Sequence, residues 1–392
     1  MKIKFDRFSL AAALIRIRPF TTKSKGVRPV QLLPHANGVR LTTGAFDPKR
    51  VSDTAWEAFA DVKLTGGTMD YALTFDIDAL ETAVQLRTSF DTEIVSDGDR
   101  VEVDGFMLST CRVRWWKPES DTIKDGNRVI VRPVHLREAL SSVIPFAAKE
   151  DTRYAINGVH FEVGVDKVHV TATDGRRLAS TSVDAHVTDA SVPGVTLPMD
   201  VAKALASRSL VGIVRDTVDG SSDLEGMAIA WDSNRTMVSL PHNRHGEWGV
   251  LVVSRNLMFP DWRQVLPKEP AEAVARVASS NLGGAMKGLK PLLPKGKDAF
   301  RAVRLAGAYG ALSLAVLQGD GSEEHPVPFK VPTQAIYGDF DVNVNPDYVA
   351  DVAKATKGKD LSVSVVDDRT PIVFRPVGDD RFLAVVMPIT SA

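Results

Sequence analysis

Cysteine is almost absent: Cys111 is the one thiol in 392 residues. A lone thiol excludes an intramolecular disulfide and a cysteine-built zinc site, and it makes a reducing cytoplasm the natural compartment. Long apolar runs are missing too, and no stretch approaches the ~18 residues of a membrane helix. The opening MKIKFDRFSLAAALIRIRPF starts basic, but Arg16 and Arg18 interrupt its apolar run, so no secretory leader is expected. Motifs that carry covalent chemistry are equally scarce. Lys295-Gly296-Lys297 lacks the glycine and Ser/Thr spacing of a phosphate loop and reads as a basic surface turn. Asp76 with Asp78, Asp339 with Asp341, and Asp367 with Asp368 have no further ligand cluster, and caps or turns account for them. His160 and His169 fall on two strands of one expected hairpin, where structural roles are expected rather than metal ligation. No serine stands in a nucleophile elbow. From these residues no catalytic group, metal or cofactor is expected.

What is present is an uneven spread of charge. The net charge of −1 argues by itself against a nucleic-acid binder. Yet residues 7–28 carry Arg7, Arg16, Arg18, Lys23, Lys25 and Arg28 without an acid, and residues 281–297 carry Lys287, Lys290, Lys295 and Lys297 without one. Lys203, Arg208 and Arg215 form a third basic segment, and Lys354, Lys357 and Lys359 a fourth. These segments hold sixteen cations, which leaves the remainder with 32 bases against 49 acids. A chain can in this way be neutral overall yet keep a basic lining and an acidic exterior; solvated faces of surface helices would give the same pattern. Trp115-Trp116, beside Arg112, Arg114 and Lys117, could stack on bases, but reads better as an exposed connector.

The length suits two or three domains, and 44% apolar with 25% charged residues is ordinary for a globular chain. A unit of helix, strand pair, helix, strand pair recurs three times. Its second helices are expected at 75–86, 197–210 and 344–358, with Val201, Ala204 and Leu205, for example, at helical spacing. Alternating strands follow each, turning at Asp97-Gly98, Asp232-Ser233-Asn234 and Asp367-Asp368. Asp76 and Asp347 stand where a carboxylate caps a helix. Hairpins are expected to turn at Gly164–Lys167 and Gly307–Gly310. Boundaries near 128 and 270 divide the chain into residues 1–128, 129–270 and 271–392.

Within this frame stand DTRYAINGVHFEV, TATDGRRLAS, MFPDWRQVLPKEP and the ending RFLAVVMPITSA. In their order and spacing over residues 129–392 these strings closely resemble the bacterial β sliding clamp, the processivity subunit of DNA polymerase III. The first 128 residues match through Arg28-Pro29, the helix at 75–86 and FMLST.

The resemblance implies an α+β fold of three repeated DNA-clamp domains, each with two inner helices and outer antiparallel sheets, closed as a homodimeric ring. It implies sequence-independent binding of double-stranded DNA, with Arg28, Lys149, Arg153 and Tyr154 at or beside matching positions and Lys203 and Arg208 on a basic segment. Glu150 stands for the family's Gln, Ala155 for a second Tyr and Ile77 near a family arginine, so the DNA path there is expected to differ. It also implies a cleft for short motifs of DNA polymerase, clamp loader and other partners. From the central region this cleft takes Ile156, Thr173, Gly175, Arg176, Arg177 and Leu178, and from the segment after it Pro260, Gln264 and Val265. The tail supplies Val385, Val386, Met387, Pro388 and Ile389. Arg176, Gln264 and Thr390 depart from the family at the rim, so altered partner preference is expected. Phe106 and Leu108 on one side, and Leu292 and Leu293 on the other, match the contact between subunits. A replicative clamp is thus the leading reading. A clamp-fold paralogue that binds partners without replicating DNA is the alternative, and a nucleic-acid hydrolase on a similar scaffold is a third; a DNA cleavage assay with divalent metal separates the last.

Overall fold

The computed structural model describes all residues except 22, 24–25, 37, 46–53, 87, 99, 111–122, 124–125, 149–153, 190–193, 208–225, 233–234, 244–245, 255–257, 268–271, 296–300, 309–310, 318–328 and 391–392. The backbone alone is described at 45, 54, 154, 189, 240–243, 246–247, 254, 273 and 329. Cys111, Trp115-Trp116, Lys149, Arg153, Arg208, Arg215 and the 309–310 turn therefore lie outside the described residues.

One order of elements occurs three times. The first run is β1 (Lys2–Asp6), α1 (Arg7–Ile17), β2 (Pro29–His35), β3 (Gly38–Ala45), β4 (Thr54–Gly67), β5 (Leu73–Asp76), α2 (Ile77–Leu86), β6 (Asp91–Ser96), β7 (Val101–Val103) and β8 (Phe106–Leu108). The second is β9 (Asn127–Val131), α3 (Pro133–Val143), β10 (Gly158–Val163), β11 (Lys167–Thr173), β12 (Arg177–Asp189), β13 (Gly194–Pro198), α4 (Met199–Leu205), β14 (Met227–Trp231), β15 (Arg235–Asn243) and β16 (Gly246–Ser254). The third is β17 (Ala273–Ala278), α5 (Ser279–Leu289), β18 (Val303–Ala308), β19 (Ala311–Val316), β20 (Phe329–Val331), β21 (Ala335–Ile336), β22 (Phe340–Val344), α6 (Pro346–Ala355), β23 (Asp360–Ser364), β24 (Ile372–Pro376) and β25 (Phe382–Val386). Each repeat is richer than its sequence pattern suggests, because a strand precedes the first helix and another precedes the second. Phe75 and Asp76, Leu197 and Pro198, and Val344 before the cap Asn345 precede the helices, so all three second helices start two residues later than their apolar spacing indicates.

The chain forms two compact units. The first comprises Met1–Glu138, Glu162–Val168 and Asp184–Leu257. Its strands β5, β2, β3, β4, β16, β15, β14 and β9 pair antiparallel in that order. The C-terminal end of β4 also pairs with β1, and β1 continues through β6 and β7 to β8. α1 packs on β4 and lies beside α2. Phe20 meets Trp56 and Trp248 at ring distances of 6.1 and 5.8 Å, which anchors the helix layer to the sheet. Alternation explains β1: Ile3 and Phe5 are buried while Lys2 and Lys4 reach Glu93. Gly67 closes this corner with φ +80°, and a Cβ there would lie 2.0 Å from the Lys2 carbonyl oxygen. Gly67→Ala is therefore expected to lower stability by about 2 kcal/mol, read as a lower urea midpoint at unchanged slope.

The second unit comprises Ala139–Phe161, His169–Val183 and Met258–Ala392. Here β17, β23, β24, β25 and the first half of β12 pair in order, and β20, β19, β18 and β22 form a second sheet. α5 and α6 pack on one another. Val349, Val352 and Ala353 are buried at helical spacing. Asn345, not Asp347, caps α6: its side chain accepts the Asp347 N–H at 3.0 Å, while Asp347 sits in the first turn beside Arg301. Asp76 lies where its carboxylate accepts N–H groups of Arg28 and Asp78, both at 3.3 Å.

Candidate functional site

The chain after β11 turns tightly. The Thr173 hydroxyl donates to the Arg177 carbonyl at 2.7 Å and accepts the Gly175 N–H at 3.1 Å. Gly175 takes φ +85°, which suits glycine, and Asp174 Oδ1 accepts the N–H groups of Arg176 and Arg177. β12 then leaves the turn against β25, with Arg177 opposite Val386 and Leu178 opposite Val385. The tail is tied at two points: Met387 N–H donates to the Arg176 carbonyl at 2.9 Å, and Ile389 N–H to the Asn343 carbonyl at 2.7 Å. Leu178, Trp262 and Val385 form a buried apolar cluster, with Phe259, Leu266 and Leu383 packed against it.

Around that floor the exposed residues mix apolar and polar types. Met387 is 37% and Val265 42% exposed, and Pro260, Gln264, Gly175 and Arg176 are exposed as well. Pro388 and Ile389 are half-buried; so is Ile156, on the separate turn Tyr154–Ile156. Thr173, Arg177 and Val386 are buried, so they brace the turn and the strand pair. Trp262 was not singled out by sequence reasoning, although it stands inside the string MFPDWRQVLPKEP; its place between Asp261 and Arg263 in a short helical turn was the available signal. His160 stacks on Phe259 with rings 4.4 Å apart and nearly parallel, a packing role within this neighbourhood.

The basic segments are less uniform than their composition suggests. Arg16 is fully buried, its Nε and Nη2 lack hydrogen-bond partners among the described residues, and burial lowers its pKa. It presents no charge to solvent. Arg18 hydrogen-bonds Glu81 and, at 2.9 Å, Asp78, and Arg28 comes within 3.7 Å of Asp78. Acids from α2 thus offset a run that has none in sequence. Lys203 is exposed on α4. Lys287, Lys290, Lys295 and Arg301 line an open cleft of about 520 Å³ with Pro291, Leu293 and Pro294, and Asp347 lies 2.9 Å from Arg301 and 3.8 Å from Lys290. Of the residues matched to a subunit contact, Phe106 is 36% and Leu292 54% exposed, Leu108 is half-buried, and Leu293 is buried at 4%.

Comparison with known proteins places this geometry. Residues 130–214 match the family described as DNA polymerase III beta subunit, central domain. The beta sliding clamp of Synechococcus elongatus is 27% identical over 277 residues, spanning 69% of this chain and 68% of that protein. The DNA polymerase III beta subunit of Thermotoga maritima superposes with a TM-score of 0.79 at 18% identity over all of both chains. A DnaN sliding clamp of Pseudomonas aeruginosa, solved bound to griselimycin, does so with a TM-score of 0.75 at 19% identity over 100% of this chain and 99% of that one. By sequence over most of its length the chain is similar to bacterial β sliding clamps, and over all of its length it has their fold.

Proposed function

We propose that two copies of the chain join head to tail into a ring around duplex DNA and tether a DNA polymerase to it, as a cytoplasmic, non-catalytic processivity subunit. One observation carries this reading. In the first repeat the long strand β4 pairs with β16, the last strand of the second repeat; β12 of the second repeat pairs in the same way with β25, the last strand of the third. The third repeat's long strand is interrupted at Pro332 into β20 and β21. β21 pairs with β17, as β4 does with β1. In the strand ladders β20 pairs with β19, and β8, the last strand of the first repeat, pairs with β7. A second copy whose β8 meets β20 repeats the rule already used twice, and a heterologous contact of this kind closes when the rotation allows it. Open strand edges invite such pairing. Phe106, Leu108 and Leu292 supply its apolar contact, with Leu293 packed beneath.

The three repeats act as clamp domains 1–128, 129–270 and 271–392. Arg28, Lys149, Arg153, Tyr154, Lys203 and Arg208 meet phosphates, which carry no sequence information and leave the ring free to slide. The turn at Gly175, the Leu178–Trp262–Val385 floor and the tail form the partner cleft, where Val265, Met387 and Pro388 offer apolar contact and Arg176 and Gln264 set the rim. Griselimycin, with which a Pseudomonas clamp was solved, serves as the probe, on the proposal that it seats in this cleft. A test of the ring uses circular DNA loaded by the cell's own loader. A contact held by phosphates alone weakens about 1,000-fold or more between 50 and 200 mM salt. The protein is instead expected to stay on the circle at the higher salt and to leave once the circle is cut; loss from uncut circles would refute the ring. The rim departures at Arg176, Gln264 and Thr390 favour a second reading, a paralogue that binds partners without supporting replication. Restored long products in a clamp-depleted replication assay would exclude it.

A further inference from the structure

We propose that Asp351 is a positioning residue of the partner cleft, acting through Arg177; this rests on the cleft reading above. The Arg177 side chain is 4% exposed, and three elements hold it. Its Nε donates to Asp174 Oδ2 at 3.0 Å, its Nη2 to the Pro145 carbonyl at 2.8 Å, and its Nη1 to Asp351 Oδ2 at 2.6 Å. The guanidinium carbon lies 4.3 Å from the Tyr348 ring centre and 5.4 Å from that of Phe146. A planar, permanently charged fork suits such a site, where edge and face are both satisfied.

The position of this fork decides what it controls. Arg177 is the first residue of β12, between exposed Arg176, whose carbonyl holds Met387, and Leu178 on the floor. Asp174 belongs to the same turn and moves with it. Pro145 offers a neutral carbonyl. Asp351 is thus the charged anchor that reaches this turn from another element, 174 residues away in sequence. Tyr348 and Asp351 stand three residues apart on α6, so one helix face supplies both a ring and a carboxylate to one guanidinium. Without the carboxylate, the turn at Gly175 and the start of β12 lose their charged tie to α6 and keep the Pro145 carbonyl and the pairing with β25, so the turn is held less firmly beside the floor.

The test measures griselimycin affinity by calorimetry, well below the unfolding temperature, on the full chain. Asp351→Asn is expected to weaken binding about 10-fold, and Asp351→Glu to restore most of it. Amide exchange at Leu178–Ser180 and Val385–Met387 is expected to accelerate in Asp351→Asn. A lower unfolding temperature with unchanged affinity would overturn the proposal and leave the cleft reading intact. Failure of the unsubstituted chain to bind griselimycin would overturn both. Should Asp351→Asn not fold, Asp351→Ser, which also removes the carboxylate, is measured instead; unchanged affinity there would likewise overturn the proposal.

Discussion

Arg177→Met is expected to lower the stability of the unit that contains it by about 3 kcal/mol, because it strips the counter-charge from two carboxylates at once. Asp174 and Asp351 both point at this guanidinium, with side chains 19% and 32% exposed. Partial access to water keeps the expected loss near the lower end for a broken buried pair. Methionine fills much of the same volume against Phe146 and Tyr348, so the loss reports charge and hydrogen bonds rather than a cavity. Urea unfolding followed by fluorescence checks the value. A loss below about 1 kcal/mol would show that the network is solvated and loose.

Leu292→Asp is expected to convert the proposed two-chain ring to single chains of 42.5 kDa, with association weakened about 100-fold or more. The side chain is more than half exposed, so folding tolerates the change while a dry contact does not accept a carboxylate. Phe106→Asp, on β8, is expected to act alike from the other side of the proposed contact. Leu293→Asp makes the discriminating control, since that residue is buried and its substitution is expected to damage the fold itself. Light scattering across a concentration series reads the mass. An unchanged dimer in Leu292→Asp would place the contact elsewhere.

Much of this architecture is legible in the chain because it rests on local pattern. Helical spacing at Val349, Val352 and Ala353, alternation in β23 and turn residues at Asp97-Gly98 act over a few residues, and each repeat confirms the others. The leading strands were hidden because Lys2–Asp6 is five residues long and runs straight into a helix without a break. Charge misled for the opposite reason. Arg18 reads as unopposed over twenty neighbours, yet its partners Asp78 and Glu81 come from sixty residues away. Arg16 lies two residues from exposed Arg18, and only three-dimensional packing reveals that it is enclosed. In the candidate cleft the strings pointed to Leu178, Val385 and Met387, whereas Trp262 and Asp351 carry their weight through contacts no spacing announces.

If β8 and β20 form the contact proposed for the ring, each molecule has two unlike ends, one that receives and one that is received. A molecule damaged at one of them still engages a healthy neighbour through the other. In the proposed ring such a mixed pair would hold one sound joint and one failed joint, and would stay threaded on nothing. Within a cell that makes both forms, the damaged one would subtract from the working pool by more than its own share.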